Sequence, residues 1–151
     1  MKASAKGFTL IEVLVALVIF AVGLLGIAAL HIESLNAGRT ALNRTQAVEL
    51  ASDLADRIRA NRLACSDTGC AYEGAGALNA SCETTAGCTP AELAATDVFR
   101  WRARGAAQLP GFASAVDYTF RAGLPGLYLI TVSWVEPGSD LDASYALRLE
   151  I

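Results

Sequence analysis

Histidine occurs once in this chain, lysine only at Lys2 and Lys6, and proline nowhere between Phe8 and Arg62. The lone His31, with Glu33 two residues on, offers no paired-histidine metal motif and no base for a nucleophilic triad. No catalytic residue is therefore assigned, no cofactor or metal is expected, and an enzyme is the least favoured class. Removing the two lysines from the 12 basic residues leaves 10 against 15 acidic ones, so the body of the chain is mildly acidic. That balance argues against broad electrostatic capture of nucleic acid. The missing prolines permit one helix from Phe8 to about Arg62, about 55 residues and roughly 80 Å long. With 151 residues there is room for one anchor helix and one modest domain, not for two full domains.

Charge is also missing where it matters most. From Phe8 to Leu30 the chain is apolar except for Glu12 and Thr9, and at about 1.5 Å per residue this segment spans roughly 35 Å, enough for a bilayer core. Lys2 and Lys6 precede it, which predicts a cytoplasmic N-terminus and an exported C-terminal part. A secretory signal places its cleavage site after the apolar region, whereas the junction here, Gly7-Phe8, comes before it, so a cut there keeps the helix. Glu12 is the most informative residue: a carboxylate costs about 2.5 to 3.5 kcal/mol at the centre of a membrane helix and is rarely placed there without a partner. Such a cut would create an amine at Phe8, with which Glu12, four residues on, can pair in its own or a neighbouring chain. One buried charge pair satisfied at a single offset fixes the register of helices that otherwise slide freely. The plainer alternative is an anchor whose Glu12 snorkels to the interface.

The string Lys6-Gly7-Phe8-Thr9-Leu10-Ile11-Glu12-Val13 resembles the prepilin signature of type IV pilins and of the pseudopilins of type II secretion. The resemblance implies that a membrane prepilin peptidase removes residues 1–7 and N-methylates Phe8, leaving Glu12 fifth in the mature chain. Gly23 and Gly26 weaken the helix by about 1 kcal/mol each relative to alanine. Pilins often carry a proline hereabouts, where this chain has Ala29. Local unwinding and close helix packing both fit the two glycines.

Beyond Leu30, residues 31–62 read as the amphipathic helix of an exported head, with Leu35, Leu42, Leu50, Leu54 and Ile58 as the stripe to be covered. Residues 63–151 supply the rest. Cys65, Cys70, Cys82 and Cys88 fall in a Gly-, Ala-, Ser- and Thr-rich loop at 65–88, and an even count in an exported domain reads as disulfides. Three pairings are open, and Cys65 with Cys70 and Cys82 with Cys88 closes the shortest loops. Zinc competes poorly, because the spacings lack paired two-residue knuckles and no histidine is near. Thr89-Pro90-Ala91-Glu92 has the form of a helix cap, predicting a second helix over about 90–108 that stops at Pro110-Gly111. Strands follow at 116–121, 127–135 and 144–151, with turns at Leu124-Pro125-Gly126 and Glu136-Pro137-Gly138-Ser139-Asp140, giving a three-stranded antiparallel meander over about 116–151. The fold class is α+β: a long N-terminal helix packed on a small antiparallel sheet.

Two further patterns are weighed against function. Arg100, Arg102 and Arg104 around Trp101 suggest a nucleic-acid surface, but Trp101 reads as a core residue and the arginines as a solvated face. Asp140 and Asp142 suggest calcium, although a solvated hairpin explains them as well.

The later segments, Ala51 to Arg62, Trp101 to the Leu109-Pro110-Gly111 stop and Leu129 to Trp134, resemble the PilV group of minor pilins. That resemblance implies a minor subunit that joins other major and minor pilins, helps prime or cap filament assembly, and serves adhesion and twitching motility, sometimes with a tip adhesin. It would sit in the bacterial inner membrane first and in the periplasm and extracellular pilus, at the tip, afterwards. A pseudopilin of type II secretion uses the same N-terminus and is the nearest alternative. A ligand- or DNA-binding module at the pilus tip is the alternative of another class.

Overall fold

A computed structural model describes residues 7–84, 87–138 and 142–151. The leader residues 1–6, with Lys2 and Lys6, and Ser139 and Asp140 of the last turn lie outside the described residues. The α+β class is the one observed: helices α1 (Leu10–Ala60) and α2 (Pro90–Gln108), a two-residue ladder of β1 (Cys65–Ser66) with β2 (Gly69–Cys70), and a sheet of β3 (Ala113–Thr119), β4 (Leu127–Val135) and β5 (Asp142–Glu150). The chain divides into two compact units, one ending at Gly38 and one running from Arg39 to Ile151.

In the first unit α1 begins after Thr9 and continues unbroken through Gly23 and Gly26, so the unwinding reading of these glycines is not the conformation seen. Every residue from Gly7 to Leu35 is exposed, including Phe8, Leu10, Ile19, Leu25 and Leu30. A helix apolar on all sides, with no protein over it, has the surface of a membrane span or of a helix awaiting neighbours.

The second unit has the core. From α1 it takes Asn43, Ala47, Leu50, Ala51, Leu54, Ala55 and Ile58, a line advancing by threes and fours along one face. Leu50, Leu54 and Ile58 are covered, but Leu42 is 56 % and Leu35 65 % exposed, which corrects the stripe drawn from the sequence. Eight residues turn a helix about 80° past two full circles, so Leu42 stands off the line through Leu50, and Leu35 belongs to the other unit.

Helix α2 starts where its cap is spelled. The Thr89 hydroxyl accepts the Glu92 backbone N–H while the Glu92 carboxylate accepts the Thr89 N–H at 2.8 Å. Its buried face is Ala94, Val98, Trp101 and Gly105. Trp101 is fully buried, donates Nε1–H to the Leu50 carbonyl at 2.8 Å and meets Phe112 edge-on at 5.9 Å. This one side chain joins both helices and the approach to the sheet.

The sheet has the order β3-β4-β5, antiparallel throughout. Val116, Tyr128, Ile130, Val132, Trp134 and Leu149 point into the core. Strand β3 begins and ends earlier than its sequence suggests. Leu127 opens β4, so Thr119 is the last β3 residue with a partner, while Ala113 still reaches Ser133 at the other end. Phe120 and Arg121 fall into the turn, where the Arg121 Nε–H donates to the Pro125 carbonyl at 2.9 Å.

The cysteine stretch is more ordered than a plain loop. It contains 3-10 turns at Arg62–Ala64, Ala71–Glu73 and Ala80–Glu83, and disulfides Cys65–Cys70 and Cys82–Cys88. Of the three pairings the structure has the local one, and no described cysteine is free for zinc.

Candidate assembly surface

The first turn of α1 presents the one charged group of the apolar span 8–30. Glu12 is three residues inside the helix from Thr9, and the two form a reciprocal cap: Glu12 Oε2 accepts the Thr9 N–H and the Thr9 hydroxyl, both at 2.9 Å, while the Glu12 N–H donates to Thr9 Oγ1 at 3.4 Å. The sequence pairs Glu12 with the Phe8 amine of its own or a neighbouring chain; the partner seen within the helix is Thr9, and Thr-x-x-Glu before an apolar run is a capping-box signature. All the cap bonds to the carboxylate use Oε2. Oε1 has no hydrogen-bond partner among the described residues. Phe8, Val13, Leu17 and Phe20 line a shallow groove on one side of Glu12, and Ile11, Val15 and Ile19 line another, with Ala16 at the floor of both. The arrangement is a carboxylate on a ridge between two apolar grooves, held in one rotamer and half unsatisfied.

Gly7 and Phe8 precede the helix outside any regular element, exposed, with nothing within 4 Å of the position a Gly7 side chain would occupy. His31 and Glu33 are exposed on the helix surface and make no site. Among the described residues no group of three or more metal-ligating side chains occurs, and Asp142 stands at the exposed start of β5.

In the second unit the arginines flanking Trp101 are engaged within the chain. Arg100 pairs with Glu83, Arg102 donates to the Ala75 carbonyl at 2.7 Å and Arg104 reaches Asp53 at 3.1 Å. A nucleic-acid surface built on them would have to break three intramolecular contacts, and the intervening indole is buried.

The residues that hold the cysteine loop on the helices were not legible in the sequence. Tyr72 is fully buried, and its hydroxyl lies 3.2 Å from the Arg57 carbonyl, 3.3 Å from Asp97 Oδ2 and 3.4 Å from Asn61 Nδ2. Burial, with the Asp97 carboxylate beside it, pushes the Tyr72 phenol up to about 12. Arg57 bonds Asp53 at 3.2 Å and Asp97 at 2.7 Å. Burial alone would lower its guanidinium, but the two carboxylates carry it above its ordinary value. Glu73 accepts the Cys70 N–H at 3.2 Å and the Tyr118 N–H at 3.0 Å, tying the loop to the outer edge of β3.

Two family models match adjacent stretches of the chain. The prokaryotic N-terminal methylation motif matches residues 2–28, and a family described as type IV pilin Tt1218 matches residues 29–99. No curated protein and no solved structure matches the chain.

Proposed function

The chain belongs to the type IV pilin family, a family of structural subunits rather than enzymes, and from that premise we propose that it is a minor pilin of the PilV type. In this reading prepilin peptidase removes residues 1–7 at the Gly7-Phe8 bond and methylates the new Phe8 amine. The leader 1–7 is then discarded, the span 8–30 serves membrane insertion and assembly, and the helix 31–62 belongs to the head with residues 63–151. The observation that carries the reading is the Glu12 ridge: one capped carboxylate on an exposed apolar helix, with Oε1 unclaimed. A neighbouring Phe8 amine is the donor that completes it, because a charge-assisted bond in a low-dielectric bundle rewards one stagger and leaves others with an unpaired charge. The subunit would join other pilins, prime or cap assembly from the filament tip, and there carry an adhesin.

Glu12→Ala tests the assignment. Processing should remain intact, seen as the normal mobility shift on a gel, while recovery of the subunit in sheared pili falls sharply. Full incorporation of Glu12→Ala would remove the register role. Gly7→Leu should leave an unshifted precursor, since the peptidase must fit the backbone at that bond. Deleting the subunit and scoring piliation against secretion separates a pilus from a type II secretion system, whose pseudopilins share the N-terminal motif.

A further inference from the structure

The outer face of the sheet has a charge pattern complementary to itself. Opposite the core, β4 presents Leu127, Leu129, Thr131 and Ser133, and the register sets beside each one residue of β3 and one of β5. The Leu129 row reads Asp117, Leu129, Arg148; the Leu127 row reads Thr119, Leu127, Glu150. The next two rows hold only small residues, Ala115, Thr131 and Ala146, then Ala113, Ser133 and Ser144. Leu129 is 40 % exposed, and Asp117 and Arg148 are exposed on either side of it. Neighbouring strands lie about 4.8 Å apart, so the two charges are separated by roughly 10 Å across Leu129. Neither takes part in an ion pair among the described residues.

We propose that this face docks a second copy of the same chain, sheet to sheet, about a two-fold axis running along β4. Such an axis keeps each residue's level along the strand and exchanges β3 for β5. Asp117 of each copy then faces Arg148 of the other, Leu129 stacks on Leu129, and Thr119 faces Glu150. The competing axis, across the strands at the same level, would set Asp117 on Asp117 and Arg148 on Arg148. The charges therefore select one of the two symmetric arrangements, and the alanine and serine rows let the backbones approach closely. Three strands about 14 Å wide and paired over about 23 Å give a footprint on the order of 300 Å², well under the roughly 800 Å² per partner of a stable complex. Exposed ion pairs add little each. The contact is thus a weak one that forms between chains concentrated in a membrane, not between dilute molecules.

The test uses the full chain in its membrane with Leu129→Cys, which supplies a free thiol on the axis while the native cysteines stay bonded. Mild oxidation should give a dimer on a non-reducing gel, and Leu124→Cys, exposed in the β3–β4 turn away from this face, should stay monomeric. Adding Asp117→Arg or Arg148→Asp should cut the dimer yield about fivefold by placing like charges together, and combining the two should restore it. Equal cross-linking at positions 129 and 124, or a double charge variant no better than the singles, would overturn the proposal. So would a cross-link from position 129 to a chain of different mass, which would give the face to another partner.

Discussion

Tyr72→Phe deletes one oxygen from the middle of the head core and tests whether the cysteine loop is held by that hydroxyl. The phenol has a single proton, shared between the Arg57 carbonyl and Asp97 Oδ2, and it accepts a long bond from Asn61. Its partners keep other bonds: Asn61 Nδ2–H still donates to the Pro90 carbonyl at 2.8 Å, Asp97 Oδ1 still accepts from Arg57 at 2.7 Å, and the Arg57 carbonyl still receives the Asn61 N–H at 3.0 Å. Only Asp97 Oδ2 is left short of a donor. The expected loss is therefore about 1 to 2 kcal/mol, the range for one hydrogen bond to a charged acceptor without a fully orphaned group. For a unit of this size that lowers the Tm by about 4 to 8 °C. Tyr72→Ala should cost about 3 to 5 kcal/mol, because it also empties a fully buried ring site. Both tryptophans, Trp101 and Trp134, lie in this core, so their fluorescence in detergent-solubilised full chain reports the head without interference from the membrane helix. A Tyr72→Phe transition within 1 °C of the parent, or one as low as that of Tyr72→Ala, would refute the reasoning.

Alkaline titration reads the same burial in another way. Tyr72 and Tyr128 are both held up to about 12, chiefly by burial, against about 10 for an unfolded tyrosine. Their contribution is complete below pH 10 and is lost as pH rises towards 12, so the urea midpoint should fall across that window and fall less steeply in Tyr72→Phe. Thr89→Ala removes the α2 cap and should cost about 1 kcal/mol. It should also flatten the acid limb of the stability curve in part: the backbone N–H at position 89, the larger of the two donors that hold the Glu92 carboxyl below its usual range, stays, and only the hydroxyl's share of the contribution that disappears as pH falls through the lowered value is removed. Gly76→Ala puts a side chain on a backbone at φ +80° and 2.5 Å from the Phe99 nitrogen. It should destabilise by more than about 1 kcal/mol and expose residues 63–84 to limited proteolysis, whereas unchanged cleavage would mean the loop is not seated on α2.

Which parts of this were legible follows the range of each interaction. Thr89-Pro90-Ala91-Glu92 spells a cap whose first and last residues bond each other, and the structure has that cap. The alternation of Tyr128, Ile130, Val132 and Trp134 is local as well, and all four are buried. The failures lie where partners are far apart in the chain. Tyr72 looked like part of a polar loop because nothing near it in sequence predicts Asn61 and Asp97 around its hydroxyl. Leu42 looked like core because leucines near it in sequence are core, while the covered line on α1 follows Asn43 and Ala47 instead. The Thr9–Glu12 bond is local, and Thr-x-x-Glu spells it in the same way as Thr89-x-x-Glu92.

The sequence by itself determined that an apolar helix carries one acid behind a Gly-Phe junction, that an α+β head follows, and that helix precedes sheet, since composition, periodicity and caps act over a few residues. Only the tertiary structure decided which cysteines bond, which line of α1 is covered, and which charges remain unpaired. Those depend on which distant segments share a space: Asp53 meets Arg104, Asp97 meets Arg57, and Asp117 and Arg148, placed on opposite edges of one sheet, meet no partner among the described residues.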